Sequence, residues 1–251
     1  MMSPLPQAAD RLIVALDVPT WAEADRLVRD LKGVVRRVKV GQTLFTACGP
    51  DAVHRLVEGG MGVFLDLKYH DIPATVAGAA RSAARLGVEM FNVHALGGRA
   101  MMVACADALA DEEASGRHRP KALAVTLLTS VDERVMEEVR LEGEPATMVP
   151  RLAALAARSG LDGVVVSPRE VSALRSARGP DFLIVVPGVR PAGADADDHA
   201  RSATPRDAIA AGADYVVVGR PITRAASPAG AAEAVIAEIA EGLAEVGEGS
   251  P

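Results

Sequence analysis

The most constraining feature of this sequence is a series of eight short apolar runs, each followed by a longer stretch with helical patterning. The runs are apolar at consecutive positions, which is typical of parallel strands buried on both faces. Strands are therefore predicted at the following positions: Leu12–Leu16, Val38–Val40, Val63–Leu67, Met90–Val93, Ala122–Leu128, Gly163–Val166, Leu183–Val186 and Tyr215–Val218.

Amphipathic segments between the runs predict one helix after each strand. A capping box, Thr20-Trp21-Ala22-Glu23, opens the first, and prolines stand where others begin. The predicted helices are Trp21–Leu31, Pro50–Glu58, Thr75–Leu86, Arg99–Glu113, Met148–Arg158, Arg169–Ser176, Pro205–Ala211 and Ala229–Val246.

Eight strand–helix pairs without a break in composition predict an α/β protein, a single (β/α)8 barrel. The 251 residues would form one domain, with its core at about residues 10–246. A doubly wound open sheet is the structural alternative.

Composition limits the partners and the compartment. A net charge of −6 argues against nucleic acid and anionic membranes, although a local cluster of donors could still bind a phosphorylated small molecule. No signal peptide or apolar run of membrane-spanning length is found, so a cytoplasmic location is expected. Cys48 and Cys105 lack metal-ligand spacing and are interpreted as thiols in a reducing compartment.

Charged residues cluster where the predicted strands end, which is where barrel enzymes carry their chemistry. Lys39, Asp66 and Lys68 lie in or at the ends of strands 2 and 3, and Asp71 follows in the next loop. Alternation along a strand would turn Asp66 and Lys68 to the same face. Lysine is rare here, with only four among 27 basic residues, and two of the four are in this set. A catalytic site is predicted; the alternative is structural salt bridges, which desolvation makes unfavourable.

A phosphate site is predicted after strands 7 and 8, as is usual in such barrels. The first loop contains Pro187, Gly188 and Arg190, and the second contains Gly219 and Arg220. Glycine lets backbone N–H groups approach an anion, and arginine supplies a bidentate donor. The polar stretch at residues 191–203 is a candidate closing lid.

At these positions the sequence resembles the orotidine 5′-phosphate decarboxylase family over nearly its whole length. The most specific motif is Asp-Leu-Lys-Tyr-His-Asp-Ile-Pro-Ala-Thr-Val at residues 66–76. The others, in order, are Leu-Asp-Val at 16–18, Val-Lys-Val-Gly at 38–41, Asn-Val-His-Ala at 92–95, Leu-Thr-Ser at 128–130, Pro-Gly-Val-Arg-Pro at 187–191 and Val-Gly-Arg-Pro-Ile at 218–222.

The resemblance implies conversion of orotidine 5′-monophosphate to uridine 5′-monophosphate without a cofactor or metal. Lys68 would protonate C6 of the pyrimidine, Asp66 would lie beside the departing carboxylate, and Lys39 would bridge Asp66 and the ribose. Asp17 would bind ribose hydroxyls and Thr129 the pyrimidine amide. The phosphate would contact Arg190, Gly219 and Arg220, with Pro187 also lining the substrate site.

The resemblance also implies a homodimer in which Asp71, Ile72 and Thr75 reach the neighbouring subunit's site. One position departs from the family pattern, since His199 stands where a lid glutamine is common. Either His199 replaces that donor, or closure is weaker and depends more on pH.

Two rival functions remain open. Barrels resembling 3-keto-L-gulonate 6-phosphate decarboxylase or hexulose phosphate synthase share the Asp-x-Lys-x-x-Asp spacing but use magnesium, with a glutamate at the position of Lys39. A non-catalytic nucleotide-binding barrel is the other rival, although all four charged residues are present.

Overall fold

In a computed structural model, which describes residues 4–192 and 203–248, eight parallel strands form a closed barrel in sequence order. The predicted (β/α)8 fold is therefore confirmed. The strands are β1 Leu12–Ala15, β2 Arg37–Gly41, β3 Gly62–Tyr69, β4 Met90–His94, β5 Lys121–Val125, β6 Gly163–Val165, β7 Leu183–Pro187 and β8 Tyr215–Val218.

Apolar residues on both faces of the strands explain why this sheet is covered by helices. Most strand residues are buried, including every residue of β1. The register pairs Ala15 of β1 with Lys39 of β2, and Gly41 of β2 with Asp66 of β3. Lys39 of β2 and Asp66 of β3 thus lie near the carboxyl ends of adjacent strands, and Asp17 follows shortly after the end of β1.

The eight predicted helices are all present, with ends shifted by a few residues at most. Thr20 caps the first long helix as its sequence predicts, because its side chain accepts a hydrogen bond from the Glu23 N–H. The helices are α1 Pro4–Ala9, α2 Trp21–Asp30, α3 Gln42–Cys48, α4 Pro50–Glu58, α5 Pro73–Arg85, α6 Gly98–Ala114, α7 Glu133–Glu138, α8 Pro145–Arg158, α9 Val171–Arg178, α10 Pro205–Ala210, α11 Arg220–Thr223 and α12 Pro228–Glu248.

Short helices that the sequence analysis did not predict include α3, α7 and α11. Each has seven residues or fewer, too few for a clear amphipathic period. The predicted fifth strand was too long, because β5 ends at Val125 and a turn closed by the Val131 N–H and the Leu128 carbonyl follows. An apolar run alone does not reveal where such a turn begins.

The chain divides into two compact units, Met1–Asp66 with Val186–Pro251 and Leu67–Val185. A single domain remains a prediction. In the described part of the chain, no helix has the length and apolar character needed to span a bilayer. The cytoplasmic location likewise remains a prediction.

Candidate active site

The first unit contains an ion-pair cluster, Asp17–Lys39–Asp66, at the carboxyl ends of β1 to β3. The Lys39 ammonium nitrogen lies 2.9 Å from Asp17 Oδ1 and 3.2 Å from Asp66 Oδ2. The side chains of Lys39 and Asp66 are only 11% and 12% exposed, whereas that of Asp17 is 54% exposed. Two predicted catalytic residues and one predicted substrate-binding residue therefore form a cluster that is buried on one side and open on the other.

Lys39 remains a cation in this cluster. Burial on its own would lower the pKa of the ammonium, but the charges of Asp66 and Asp17 and their hydrogen bonds outweigh that effect. The pKa of Lys39 is consequently raised above its ordinary value. Removing two charged groups from water is costly, so a buried ion pair of this kind adds little to the stability of the fold. Perturbed charged groups are common at active sites, which makes this cluster a candidate for catalysis.

Gly41 provides the space that the cluster needs. A Cβ atom at this position would lie 2.8 Å from Asp17 Oδ1 and 2.9 Å from Lys39 Nζ. Any larger residue would therefore push against both partners of the shorter ion pair. Gly41 is part of the Val-Lys-Val-Gly motif, and its absent side chain lets the ammonium and the carboxylate meet beside the backbone.

In the second unit, Lys68 has an unusual backbone conformation within β3. Its φ angle is 54°, in the left-handed region, which costs a non-glycine residue about 1–2 kcal/mol. The Lys68 N–H donates a hydrogen bond of 2.8 Å to Oδ1 of Asn92, a fully buried residue of β4. Strained backbone held by a specific partner is common at functional sites.

The left-handed backbone of Lys68 affects the prediction of where its side chain points. The expectation that Asp66 and Lys68 share a face assumes extended backbone through both residues, but Lys68 is not extended. The direction of its side chain is set by local geometry that a strand period does not describe. The catalytic role of Lys68 therefore stays a prediction that needs its own test.

The loop after β3 exposes the residues predicted to reach a second subunit. The Ile72 N–H donates to Asp71 Oδ1 at 2.6 Å, and Ile72 is 66% exposed despite its apolar side chain. Thr75 is exposed in the first turn of α5. An exposed isoleucine next to Asp71 fits a contact surface, and the shared site remains a prediction.

Two histidines of the same unit lie at the carboxyl ends of β3 and β4: His70 follows β3, and His94 is the last residue of β4. The rings of His70 and His94 stack with centroids 5.2 Å apart, and His94 Nδ1 accepts a long hydrogen bond of 3.4 Å from the Leu96 N–H. Burial, and then the neighbouring His70 and Lys68, lower the pKa of His94. His94 therefore favours the neutral form.

The remaining predicted residues lie at the ends of strands. Thr129 is exposed in the turn beyond β5, and Pro187 is the last residue of β7. The Arg190 N–H bonds to the Ala203 carbonyl at 3.1 Å, which joins the two ends of the stretch predicted as a lid. Gly219 precedes the short helix α11, which starts at the exposed Arg220. His199 lies outside the described residues.

Comparisons with known proteins identify the family. The model of the Orotidine 5'-phosphate decarboxylase / HUMPS family matches residues 10–235. A protein from Syntrophotalea carbinolica named orotidine 5'-phosphate decarboxylase is 54% identical over 242 residues, covering 96% of this chain and 99% of its own. The chain belongs to this family. The resemblance inferred from the motifs is thus confirmed.

Other members of the orotidine 5'-phosphate decarboxylase / HUMPS family agree in length and fold. A decarboxylase of the same name from Halorhodospira halophila is 56% identical over 230 residues, covering 92% of this chain and 96% of its own. The crystal structure of Orotidine 5'-phosphate decarboxylase from Lactobacillus acidophilus superposes with a TM-score of 0.82 at 41% identity, covering 92% of this chain and 99% of that one. The likeness therefore extends over whole chains.

Sequence reasoning did not predict a part for two residues that lie against the predicted site residues, Asn92 and Gly41. Asn92 entered the sequence analysis only as a member of the Asn-Val-His-Ala motif. A single amide in a buried apolar strand indicates a specific hydrogen bond, because a buried amide needs hydrogen-bond partners. Gly41 was noted in the same way, and its close approach to two side chains requires coordinates.

Proposed function

We propose that this protein decarboxylates orotidine 5′-monophosphate to uridine 5′-monophosphate in pyrimidine biosynthesis. The observation that supports this most is the Asp17–Lys39–Asp66 cluster, in which Lys39 and Asp66 are nearly buried and Asp66 stands on the strand that also carries Lys68. Family membership and relatives named for this reaction agree with the assignment.

The reaction requires stabilisation of a localised charge. The bond between C6 and the carboxylate carbon breaks, carbon dioxide leaves, and the electron pair remains on C6 in an orbital that does not conjugate with the ring. The Lys68 ammonium would stabilise this pair electrostatically as it develops and then transfer a proton to C6. Solvent would return the proton to the lysine amine.

The acids and Lys39 would prepare the site for that step. Asp66 would lie beside the substrate carboxylate, where repulsion between the two anions favours departure of carbon dioxide. Lys39, kept cationic by Asp66 and Asp17, would hold Asp66 in place and contact the ribose. Asp17 is the exposed member of the cluster, and its carboxylate would accept hydrogen bonds from ribose hydroxyls.

Binding energy would come from parts of the substrate remote from C6. Arg190, Gly219 and Arg220 would bind the phosphate, with Pro187 beside them. The Arg220 side chain is exposed, so its guanidinium can meet an anion from solution. Thr129 would bind the pyrimidine amide and His199 a further part of the nucleotide. Such contacts support catalysis because binding energy can be used to order the reacting groups.

The proposed reaction uses no metal or other cofactor. Related barrels that stabilise an enediolate on magnesium have a glutamate where this chain has Lys39. A cation with a raised pKa at that position would repel a divalent ion. Turnover that magnesium stimulates and a chelator abolishes would favour the magnesium-dependent alternative.

The decisive test is turnover by the purified protein and by Lys68→Ala, followed through the fall in pyrimidine absorbance. We expect the wild type to decarboxylate the nucleotide in the presence of a chelator. The variant should lose at least about 10³-fold in kcat while it still binds uridine 5′-monophosphate. Unchanged turnover in Lys68→Ala would rule out the assigned role, and Lys32→Ala, which changes a lysine outside the site, is the matched control.

We further propose a homodimer with shared sites, in which Asp71, Ile72 and Thr75 act in the neighbouring subunit. Lys68→Ala and Asp71→Asn would then each be nearly inactive. Mixed subunits should recover roughly a quarter of wild-type activity, because random pairing makes half of the dimers mixed and each mixed dimer has one intact site. No recovery despite demonstrated subunit exchange would contradict a shared site.

A further inference from the structure

We infer that Asn92 is a positioning residue for the reaction, because it holds the backbone of Lys68 in the conformation that directs the ammonium. This inference rests on the proposed function of Lys68. It adds a residue on a different strand, and that residue acts through Lys68 without being required to touch the substrate.

The first supporting observation is the backbone of Lys68. Among the described residues, the non-glycine positions with positive φ are Lys68 and Arg140, both at 54°. Arg140 stands just beyond the end of α7, where left-handed backbone is ordinary. Lys68 lies inside β3, where the neighbouring strands favour extended backbone, so a local interaction must hold it there.

The second observation is the environment of Asn92. The residue is 0% exposed in the middle of β4, between Phe91 and Val93, and its strand partner is Leu123 of β5. A buried amide in such apolar surroundings needs hydrogen bonds to be tolerated. Its Oδ1 atom accepts the Lys68 N–H at 2.8 Å, an ideal distance for this type of bond.

The consequence concerns the direction of the side chain. The φ angle of a residue fixes where its Cα–Cβ bond points relative to the strand, so the Asn92 bond and the Lys68 side-chain direction are linked. If the backbone at position 68 relaxed to an extended conformation, the Cβ would turn away and the ammonium at the end of its flexible chain would move with it. Moving the ammonium away from the reacting carbon strongly reduces catalysis, because the reaction depends on the geometry of the reacting groups.

Two variants at position 92 test the inference. Asn92→Leu has a similar size but no acceptor, and Asn92→Asp keeps an oxygen where Oδ1 lies. For Asn92→Leu we expect kcat to fall about 10²-fold while the KM for orotidine 5′-monophosphate changes less than about threefold, because the phosphate and ribose residues are untouched. Asn92→Asp should stay within about tenfold of the wild-type kcat because it retains the acceptor.

Thr126→Val is the matched control. Thr126 is also 0% exposed and donates one side-chain hydrogen bond, to the Val165 carbonyl at 3.3 Å, with no link to Lys68. The control removes a buried hydrogen bond of the barrel wall and should leave kcat within about twofold of the wild type. An equal loss of kcat in Thr126→Val and Asn92→Leu would mean that Asn92 is merely structural and would overturn the inference.

Crystal structures of the variants provide a readout that does not depend on activity. The φ angle of residue 68 should become negative in Asn92→Leu and remain positive in Asn92→Asp. If Asn92→Leu does not fold, Asn92→Ser, which is shorter and cannot reach the N–H in the same way, takes its place in both measurements. A positive φ at Lys68 in a variant without the acceptor would overturn the inference.

The two readouts separate this inference from the proposed function. A wild-type protein that does not decarboxylate the nucleotide would refute the function, while the φ angle at residue 68 would still decide whether Asn92 holds the backbone. An active wild type with full kcat in Asn92→Leu would refute the positioning role alone.

Discussion

The two ends of the strands in the first unit use ion pairs in different ways. At the amino ends, Arg11 pairs with Asp214 at 3.3 Å, and Asp10 accepts Arg36 and Arg37 at 3.2 and 3.5 Å. These pairs are partly exposed at the surface. At the carboxyl ends, Lys39 pairs with Asp17 and Asp66, and two of the three side chains are nearly buried.

The difference shows which ion pairs serve stability and which serve chemistry. Exposed pairs gain about 0–1 kcal/mol and are tolerated at little cost. Burying the Lys39–Asp66 pair requires removing both groups from water, which the attraction between them only partly offsets. Charges at the carboxyl ends of barrel strands are also where catalysis occurs in this fold. Four variants test this contrast.

The largest effect in this comparison is expected for Lys39→Met. Removing the ammonium leaves the buried Asp66 carboxylate without its cation, so kcat should fall at least about 10²-fold and the free energy of unfolding should drop by about 3 kcal/mol. Steady-state kinetics and urea unfolding measure the two quantities. A variant that keeps wild-type turnover would show that the cluster is structural, like the pairs at the amino ends.

The pH dependence of this stability has a definite sign. The pKa of Lys39 is raised in the folded protein, so its contribution is complete below the ordinary lysine pKa and is lost as pH rises through the folded value. The stability difference between wild type and Lys39→Met should therefore shrink only in strongly alkaline solution.

Gly41→Ala should have the next largest effect. Its Cβ would lie within 2.9 Å of both Asp17 Oδ1 and Lys39 Nζ, so the carboxylate and the ammonium must shift from their positions. We expect about a tenfold loss in kcat/KM, because misplacing positioned groups is costly, with little loss of secondary structure by circular dichroism. Gly78→Ala on α5 is the matched control, because a Cβ at this position meets no atom within 4 Å. Gly33→Ala is unsuitable, because φ at Gly33 is positive and alanine would be strained there. Equal kcat/KM in Gly41→Ala and Gly78→Ala would contradict the steric argument.

A smaller effect is expected from His94, at the carboxyl end of β4. Its pKa is lowered by burial and by His70 and Lys68, so the folded state binds a proton less readily than the unfolded chain. Stability is therefore lost as pH falls below the ordinary histidine pKa toward the folded value. His94→Gln should show a smaller drop in Tm between pH 7.5 and pH 5.5 than the wild type, by thermal unfolding at both pH values. Equal drops would contradict this contribution.

The smallest effects should occur at the amino ends. Asp10→Asn removes the negative charge that pairs with two arginines, and we expect kcat to stay within about twofold and stability to fall by about 1 kcal/mol or less. High salt should reduce even that difference because it screens exposed charges. If Asp10→Asn lost as much activity as Lys39→Met, the ion pairs at the amino ends and those at the carboxyl ends of the strands would not differ in function.

Much of the fold was predictable because its signal is repeated. Uninterrupted apolar runs such as Leu12–Ala15 are hard to satisfy outside a covered parallel sheet, and the capping box at Thr20 marked a helix start correctly. Short helices such as α3 and the early end of β5 were missed, because they depend on local turns and contacts that periodicity does not report.

The candidate site was predictable in position but not in geometry. Charged residues at strand ends indicated Lys39 and Asp66, and the structure joins both with Asp17 in one cluster. The conformation of Lys68 was not predictable, because alternation assumes extended backbone. Its left-handed φ occurs together with a hydrogen bond that its N–H donates to Asn92, a residue distant in sequence.

The central claim is that the Lys68 ammonium acts at C6 of the pyrimidine, and a crystal structure of the protein with bound uridine 5′-monophosphate tests it most directly. We predict that Lys68 Nζ lies within about 3.5 Å of C6, the distance needed for proton transfer. An ammonium directed away from the base, with C6 facing a different donor, would contradict the account.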